Sequence, residues 1–281
     1  MTIDNFIETV WSAKLLKNWN DFHVFPKTCN RDYEGELKGM GDSVKINSIG
    51  RITIATYTKN APINAPEVLD DSTLTLVIDQ GDYFNFEVDD VDKAQQKPKV
   101  MSEAMSEAAW GLADTVDNFI ATTIAAGVQT ANIMTAQSIG TGAADDDAYE
   151  LLVDLDTLLT VNNAPPGGRW AVVPPWFHGA LRKDNRFVSF GTEQSNKRLR
   201  GAPIGEAGGF TLYQSNNVPL SGSAYNILCG VEASTAFVEQ INKIEPFRPQ
   251  NRFSDAVKGL MIYGAKVLRP YGLASCQVTE A

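Results

Sequence analysis

The chain has 281 residues, 43% of them hydrophobic and 21% charged, and its 34 acidic against 24 basic residues give a net charge of −10. This composition predicts one large or two modest globular units and disfavours nucleic-acid binding outside a local basic patch. No apolar run reaches the roughly 20 residues of a membrane-spanning helix, the first residues do not form a secretory signal, and three cysteines without CxxC spacing indicate neither a disulfide framework nor a zinc site.

The first predicted element is an amphipathic helix over residues 3–19. Its apolar residues recur at three- and four-residue steps, beginning with Ile3, Phe6, Ile7 and Val10. Asp4 and Glu8 give its polar face no basic bias, which disfavours a membrane surface. We therefore expect this helix to pack against protein.

Two alternating ribbons follow, at residues 44–56 and 73–88, and predict long strands. The connection between them is polar and proline-rich, which favours an exposed tip. Glycines interrupt both ribbons and predict bulges or bends. Because an isolated two-stranded hairpin is at best marginally stable in water, we expect this one to rest on something outside itself.

One long helix is predicted from about Pro98 to a C-cap at Gly127 and spans roughly 40 Å. Its apolar face is marked by Met101, Met105, Ala108, Leu112, Val116 and Phe119, and its polar face by Glu103, Glu107, Asp114 and Asp117. The length of this helix is about the width of a whole domain. We expect it to serve as a spine.

The rest of the chain alternates helical and extended patterns. A second helix follows the acids of residues 145–147, "RWAVV" predicts a buried strand, and "PPWFHGALRKD" predicts a helix entered through proline. "FTLYQS" and "AYNILCG" predict strands, and the tail predicts two more around an "NRFSD" turn. The predicted fold class is α+β.

None of the candidate reactive groups has the partners that its chemistry needs. His178 lacks a nucleophile and an orienting acid, so a partly buried helix residue is the better interpretation. The acids around Asp147 do not have calcium-loop spacing and fit a helix N-terminus. "GAPIGEAGGF" precedes a strand, which is wrong for a phosphate loop and favours a mobile surface loop.

The basic residues form one island in an acidic chain. Lys197, Arg198 and Arg200 lie near Arg182, Lys183 and Arg186 in sequence, without the interleaved aromatics that stack on single-stranded bases. A solvated loop or a contact between subunits is favoured over nucleic-acid binding. Lys59, at the hairpin tip, is a possible cross-linking amine or simply an exposed lysine.

The order of these parts resembles the major capsid proteins of tailed bacteriophages, the HK-97-like fold. The resemblance covers essentially the whole chain and rests on the succession of four stretches, none diagnostic alone. They are "IETVWSAKLLKNW", "NRDYEGELKGMGDSVKI", "WAVVPPWFHGALRKDNRF" and "FRPQNRFSDAVKGLMIYGAKVLRP".

The resemblance implies an N-arm (1–40), an extended E-loop (41–90), a peripheral domain with the spine helix (91–135 and 236–281) and an axial domain (136–235). It implies a non-catalytic shell protein that assembles through pentamers and hexamers around double-stranded DNA, without cofactor, metal or membrane. The helix begins almost at Met1, so a separate scaffolding protein is expected rather than a cleaved leader, together with a portal. Assembly would take place in the host cytoplasm, with the protein ending in the virion.

Eight residues are predicted assembly contacts. They are Trp11, Lys59, Asn60, Lys197, Arg198, Arg200, Arg248 and Arg252. Two alternatives stay open: an encapsulin-like compartment with the same fold, and a soluble α+β enzyme or ligand-binding protein with a pocket at His178. Self-assembly into a shell would exclude the enzyme or ligand-binding protein. The contents of the shell would then distinguish the compartment from a phage capsid.

Overall fold

The structure is a computed structural model that describes residues 23–33, 39–49, 54–57, 59, 62, 71–89, 100–140, 146–184, 205–251 and 253–281. Its helices are α1 (Val100–Gly127), α2 (Ala148–Val161) and α3 (Pro175–Lys183). The first strands are β1 (Ser43–Ile49), β2 (Asp71–Val77), β3 (Gln80–Asp89), β4 (Ile133–Ile139), β5 (Arg169–Val173) and β6 (Glu206–Ala207). The others are β7 (Phe210–Gln214), β8 (Leu220–Ser221), β9 (Ala224–Val231), β10 (Thr235–Phe247), β11 (Ser254–Val267) and β12 (Leu273–Glu280).

The strands form three sheets. β1 pairs with β2, β10–β11–β3 form an antiparallel sheet of three, and β4–β12–β9–β5–β7–β6, with β8 on β9, form a mixed sheet of seven. The predicted α+β class is confirmed, as are the spine helix, the buried "RWAVV" strand and the proline-entered helix. None of the described helices is both long enough and apolar enough to span a membrane.

The half of the chain built on the seven-stranded sheet, the seven-stranded half, buries the central strand β5 on both faces. All five residues of β5 are buried, as expected for a strand covered on both sides. Ala171 and Val173 face a core shared with α2 and α3, whereas Trp170 and Val172 face a core shared with the spine helix α1.

A buried arginine fastens α2 to this sheet. The Arg169 side chain is about 1% exposed and forms an ion pair with Asp156. It also donates to the backbone carbonyls of Asp156, Ala164 and Pro165, at 2.9–3.0 Å, and to the Thr160 hydroxyl. These bonds satisfy the guanidinium, which removes the cost of burying it.

The half built on the three-stranded sheet, the three-stranded half, packs one face against α1. Phe84 and Val257 lie against the N-terminal part of the helix, and Tyr263 stacks edge-on against Phe119 with ring centres 5.2 Å apart. We call the opposite face of this sheet the outer face.

The β1–β2 hairpin rests on the outer face of its own chain. Leu76 and Ile78 are fully buried against Val238 and Ile262. The hairpin backbone lies so close that a Cβ placed on Gly264 would be 2.2 Å from the Val77 carbonyl oxygen. The base of the predicted hairpin is therefore supported within the chain.

The second predicted ribbon is two strands rather than one. It breaks at Ile78 and Asp79, so that β2 stays in the hairpin while β3 joins β11 in the other sheet. Gly81, the predicted bend, lies inside β3, three residues beyond the start of the break.

Three short 3-10 turns join the two halves: Thr130–Asn132, Glu232–Ser234 and Pro270–Gly272. The buried Asn132 amide donates to the carbonyls of Tyr271 and Leu273, at 3.1 and 2.7 Å, and accepts from Asn162. The Ser234 carbonyl accepts from the amides of Leu268 and Arg269. These bonds tie the three crossings into one junction.

Two strands lie on a different sheet from the one that the predicted domain limits suggest. β3, inside the predicted E-loop (41–90), belongs to the three-stranded sheet with β10 and β11. β12, inside the predicted peripheral segment (236–281), pairs with β9 and β4 of the seven-stranded sheet. Alternation along a strand reports which of its faces is buried, and it carries no information on which sheet the strand joins.

Candidate functional site: assembly surfaces

The outer face continues beyond the hairpin base as an open surface. Tyr83 is 77% exposed and lies opposite Leu260, which is also exposed. Beyond them lies the exposed Phe247 on β10, on the same face. Phe253, in the turn between β10 and β11, is 83% exposed. Large apolar side chains grouped at one surface are typical of a protein interaction site.

A β-bulge in β10 determines which of its side chains lie on this surface. Gln240 pairs with Ile262, but Lys243 pairs with Leu260, so one extra residue is inserted on β10 between Ile241 and Lys243. The bulge changes which residues of β10 point outward. As a result Glu245 and Phe247 share the outer face with Lys258.

Two charged side chains on the outer face, Lys258 and Glu245, form an ion pair. The Lys258 ammonium lies 3.1 Å from the Glu245 carboxylate and 5.4 Å from the centre of the Phe247 ring. This ion pair is exposed and contributes little stability. Tyr83 and Leu260 are exposed apolar residues on the same face as this pair.

The spine helix α1 has an open face of its own. Trp110 is 52% exposed, and Glu103 and Glu107 on the preceding two turns are exposed as well. The 28 residues of α1 include four acids and no lysine or arginine. An exposed tryptophan on an acidic helix is a second candidate contact surface.

Next to it, the chain's own N-terminal segment crosses α1. The backbone amides of Val24 and Phe25 donate to the Asp117 carboxylate at 3.2–3.3 Å. Phe25 is fully buried, and Asn30 forms a bridge to Ala236 at the start of β10. Asp117 was predicted on the polar face of the helix, and it lies on the same line as Glu103. The two amides cover it there, so that the residue is only 3% exposed.

Burial governs the titration of this contact. Desolvation raises the pKa of Asp117 from 3.8 to about 7, against the lowering effect of the two backbone hydrogen bonds. Burial, together with the nearby cations Arg31 and Lys27, lowers the pKa of His23 to about 3. The two groups therefore shift in opposite senses at the same contact.

Two of the eight predicted assembly contacts fall on described residues. Lys59 is exposed in a turn, and Arg248 is exposed with its guanidinium 3.7 Å from the Asp255 carboxylate. The other six lie outside the described residues: Trp11, Asn60, Lys197, Arg198, Arg200 and Arg252.

The remaining candidates for chemistry have structural roles in the described residues. His178 is buried inside α3, where its amide donates to the Pro174 carbonyl. Asp147 caps α2 by accepting from the Tyr149 amide at 3.1 Å, as its position in the sequence predicted. No cluster of three metal-binding side chains occurs among the described residues.

The glycine-rich stretch before "FTLYQS" is a tight hairpin where it is described. Gly208 and Gly209 have positive φ values of 56° and 86° and join β6 to β7 against α2. A Cβ on Gly208 would lie 2.8 Å from the Leu152 Cβ, so the turn requires glycine at this approach. The prediction of a mobile surface loop is wrong for residues 205–210 because this contact holds the turn on the helix.

Sequence reasoning missed Tyr83, Leu260, Phe253 and Trp110 as surface residues. A signal was present in the first of them, because Tyr83 stands at a polar position of the alternation that Phe84 and Phe86 define. An apolar side chain out of step with its strand indicates a second, outward-facing contact.

Comparison with known proteins identifies the kind of assembly. The family model described as phage capsid protein matches residues 71–275, and this match spans both open surfaces. The chain belongs to the phage capsid protein family. It is a structural protein, the major capsid protein of a tailed phage, with the HK-97-like fold.

Solved structures agree with this assignment. A structure from Mycobacterium phage Che8 is 30% identical to the capsid protein, with a TM-score of 0.70 over 90% of each chain. The capsid structure of cyanophage P-SCSP1u is 18% identical, with a TM-score of 0.70 over 92% of this chain and 89% of that one. A virus-like particle from Pyrococcus furiosus has the same fold at 12% identity, with a TM-score of 0.58 over 96% and 99% of the two chains. A comparison with curated proteins found no match.

Proposed function

We propose that the capsid protein assembles through pentamers and hexamers into an icosahedral shell around the double-stranded DNA of its phage. The observation that carries this proposal is the outer face. Its one end is buried under the hairpin of the same chain, whereas its other end leaves Tyr83, Leu260 and Phe247 exposed. Contact with a neighbouring subunit removes this apolar surface from water. Each Å² of buried apolar area stabilises the contact by about 25 cal/mol.

The hairpin supplies the covering segment in this proposal. The β1–β2 pair leaves the outer face at its base and continues into residues 50–70, which lie on the neighbour's outer face in the assembled shell. Residues 1–40 then form the N-arm, 41–90 the extended loop with β3 returning to the sheet, 91–135 and 236–281 the peripheral domain, and 136–235 the axial domain with β12 added to its sheet.

The predicted contacts have places in this arrangement. Lys59 and Asn60 lie on the extended loop, Trp11 on the N-arm, and Lys197, Arg198 and Arg200 near the capsomer axis. Arg248 and Arg252 flank the β10–β11 turn. Arg248 is exposed at this turn, where it can exchange Asp255 for a carboxylate of the adjacent subunit.

The charge of the chain suits a container for DNA. A net charge of −10 repels phosphate and favours a wall that holds the genome without sequence-specific binding. The proposal includes no catalytic role. Its partners are a separate scaffolding protein and a portal, and assembly takes place in the host cytoplasm.

Sedimentation velocity with negative-stain imaging tests the proposal. The full chain is examined alone and after co-expression with its neighbouring genes. Shells, or rings of five and six subunits, are the expected result. A monomer under every condition would overturn it, and shells that hold protein cargo instead of DNA in infected cells would replace the genome container with a compartment.

A further inference from the structure

Trp110, Glu103 and Asp117 lie on one line along the spine helix. Seven residues separate each from the next, and seven residues complete two helical turns to within about 20°. At Asp117 this line is covered by residues 23–25 of the same chain, and two turns earlier, at Trp110, it is open. The open part begins where the covered part ends.

The direction of the covering segment follows from its two attachment points. Asn30 bridges Ala236, which pairs with Lys266 next to Val267, and Val267 packs where a Cβ of Gly127 would lie. Residue 30 is therefore level with the C-terminal end of α1, whereas Val24 and Phe25 are held ten residues earlier at Asp117. Traced backwards, the segment runs about 15 Å towards the N-terminus of the helix.

The sequence immediately upstream complements the open surface. Residues 11–19 read "WSAKLLKNW" and carry two lysines, no acid and two tryptophans. The surface around Trp110 carries Glu103 and Glu107, and α1 has no basic residue. A basic, aromatic segment matches an acidic surface with an exposed tryptophan.

The chain is long enough for this contact to form within one subunit. Trp110 lies about 10 Å and Glu103 about 21 Å from Asp117 along the axis of α1. With residues up to 19 helical, as predicted, and the rest extended, Lys17 can lie up to roughly 17 Å and Lys14 up to roughly 21 Å from His23. Attachment at Asp117 also gives residues 11–19 a high effective concentration at Trp110.

We infer that the α1 surface formed by Glu103, Glu107 and Trp110 is a docking site for residues 11–19 of the same chain. Lys14 and Lys17 pair with the two glutamates, and an apolar side chain of the segment covers the Trp110 ring. The contact belongs to the single subunit and goes beyond the proposed shell.

Hydrogen exchange of the full-length free subunit, read by mass spectrometry on peptides that cover residues 11–19, tests this inference. Glu103→Lys with Glu107→Lys reverses the surface, and Lys14→Glu with Lys17→Glu reverses the segment. Each pair of substitutions is expected to speed exchange in residues 11–19 about tenfold. All four together are expected to restore exchange to within about twofold of the original protein.

Two controls separate docking from general damage. Asp154→Lys with Glu206→Lys changes the net charge equally at exposed positions far along the chain, and exchange in residues 11–19 is expected to stay unchanged. Trp110→Ser removes the apolar contact without altering charge and is expected to act like the reversed surface.

Three outcomes would overturn the inference. The first is unchanged exchange of residues 11–19 in the variant with Glu103→Lys and Glu107→Lys. The second is a variant with all four substitutions whose exchange stays fast. The third is protection of residues 11–19 that is absent in free subunits and present only in shells. The last would assign the surface to a second copy. Particle formation is scored separately by microscopy, so loss of the docking and loss of the proposed shell are distinguishable.

Discussion

The two halves of the capsid protein complete their sheets in different ways. In the seven-stranded half, β5 is buried on both faces by helices and strands of the same chain. In the three-stranded half, one face is filled by the spine helix, and the other is partly covered by a hairpin and partly left to solvent. The first half is a finished core, whereas the second presents a surface for a partner.

This difference separates residues that fold the subunit from residues that assemble it. A substitution in the seven-stranded half should change the free energy of unfolding of the subunit. A substitution on the outer face should leave that quantity nearly unchanged and act on assembly. The following variants test this separation.

The largest effect is expected at Arg169, inside the seven-stranded half. Arg169→Met leaves three backbone carbonyls and the Asp156 carboxylate without their buried donor. The free energy of unfolding, measured by urea denaturation of the free subunit, should fall by about 3–5 kcal/mol. Arg182→Met, on an exposed position of α3, is the matched control and should change it by less than about 0.5 kcal/mol. Equal effects of the two would refute a special role for Arg169.

A smaller loss is expected at Gly264, where the hairpin meets the outer face. Gly264→Ala places a methyl group 2.2 Å from the Val77 carbonyl oxygen, so the hairpin base must move. We expect the free energy of unfolding to fall by about 1–3 kcal/mol. Gly111→Ala, with open space at its Cβ within α1, should instead raise it by about 0.5–1 kcal/mol. The same sign for both variants would argue against the close approach.

Asp117 should make the N-terminal contact sensitive to pH. Because its pKa rises from 3.8 to about 7 on folding, the folded subunit binds more protons than the unfolded chain between about pH 4 and 7. Its contribution to stability is full below pH 4 and is lost as the pH rises towards 7. His23, with its lowered pKa, acts in the opposite sense over an overlapping range.

Asp117→Asn removes the titrating carboxyl group and keeps a side chain of similar size. The difference in unfolding free energy between the original protein and this variant should fall between about pH 4 and 7 and level off above. Denaturation curves at several pH values measure it, with Asp154→Asn on an exposed position of α2 as control. A difference that is constant with pH would contradict the burial of a titrating carboxylate at this position.

The smallest effect on the subunit is expected on the outer face. Tyr83→Ser with Leu260→Ser should change the free energy of unfolding by less than about 0.5 kcal/mol per site, because both side chains are exposed. Assembly, followed by light scattering, should slow or stop. Asp154→Asn, an exposed polar change on α2 away from the outer face, should assemble normally, and unimpaired assembly of the double variant would remove the outer face from the interface.

Elements with a local period could be predicted from the sequence. Apolar steps of three and four residues located the spine helix to within about two residues of Val100–Gly127, and the run "RWAVV" located β5. The break between β2 and β3 could not be predicted in this way. Leu76, Ile78 and Phe84 share one parity, so the alternation continues across a change of sheet.

Contacts between distant segments were also beyond local patterns. Asp117 has the period of a solvent-facing acid, and only the amides of Val24 and Phe25, 93 and 92 residues away in sequence, explain its burial. The outer face is formed by β3, β10 and β11, which are brought together by register. Tyr83 is separated from Phe247 and Leu260 by more than 150 positions, and their grouping becomes visible only in the folded chain.

Hydroxyl-radical footprinting of free subunits and assembled shells tests the central claim most directly. The account predicts that labelling of Tyr83 and Leu260 falls several-fold on assembly, while labelling of the buried Phe177 in the seven-stranded half stays low in both states. Equal labelling of Tyr83 and Leu260 in subunits and shells would show that the outer face is not an assembly surface.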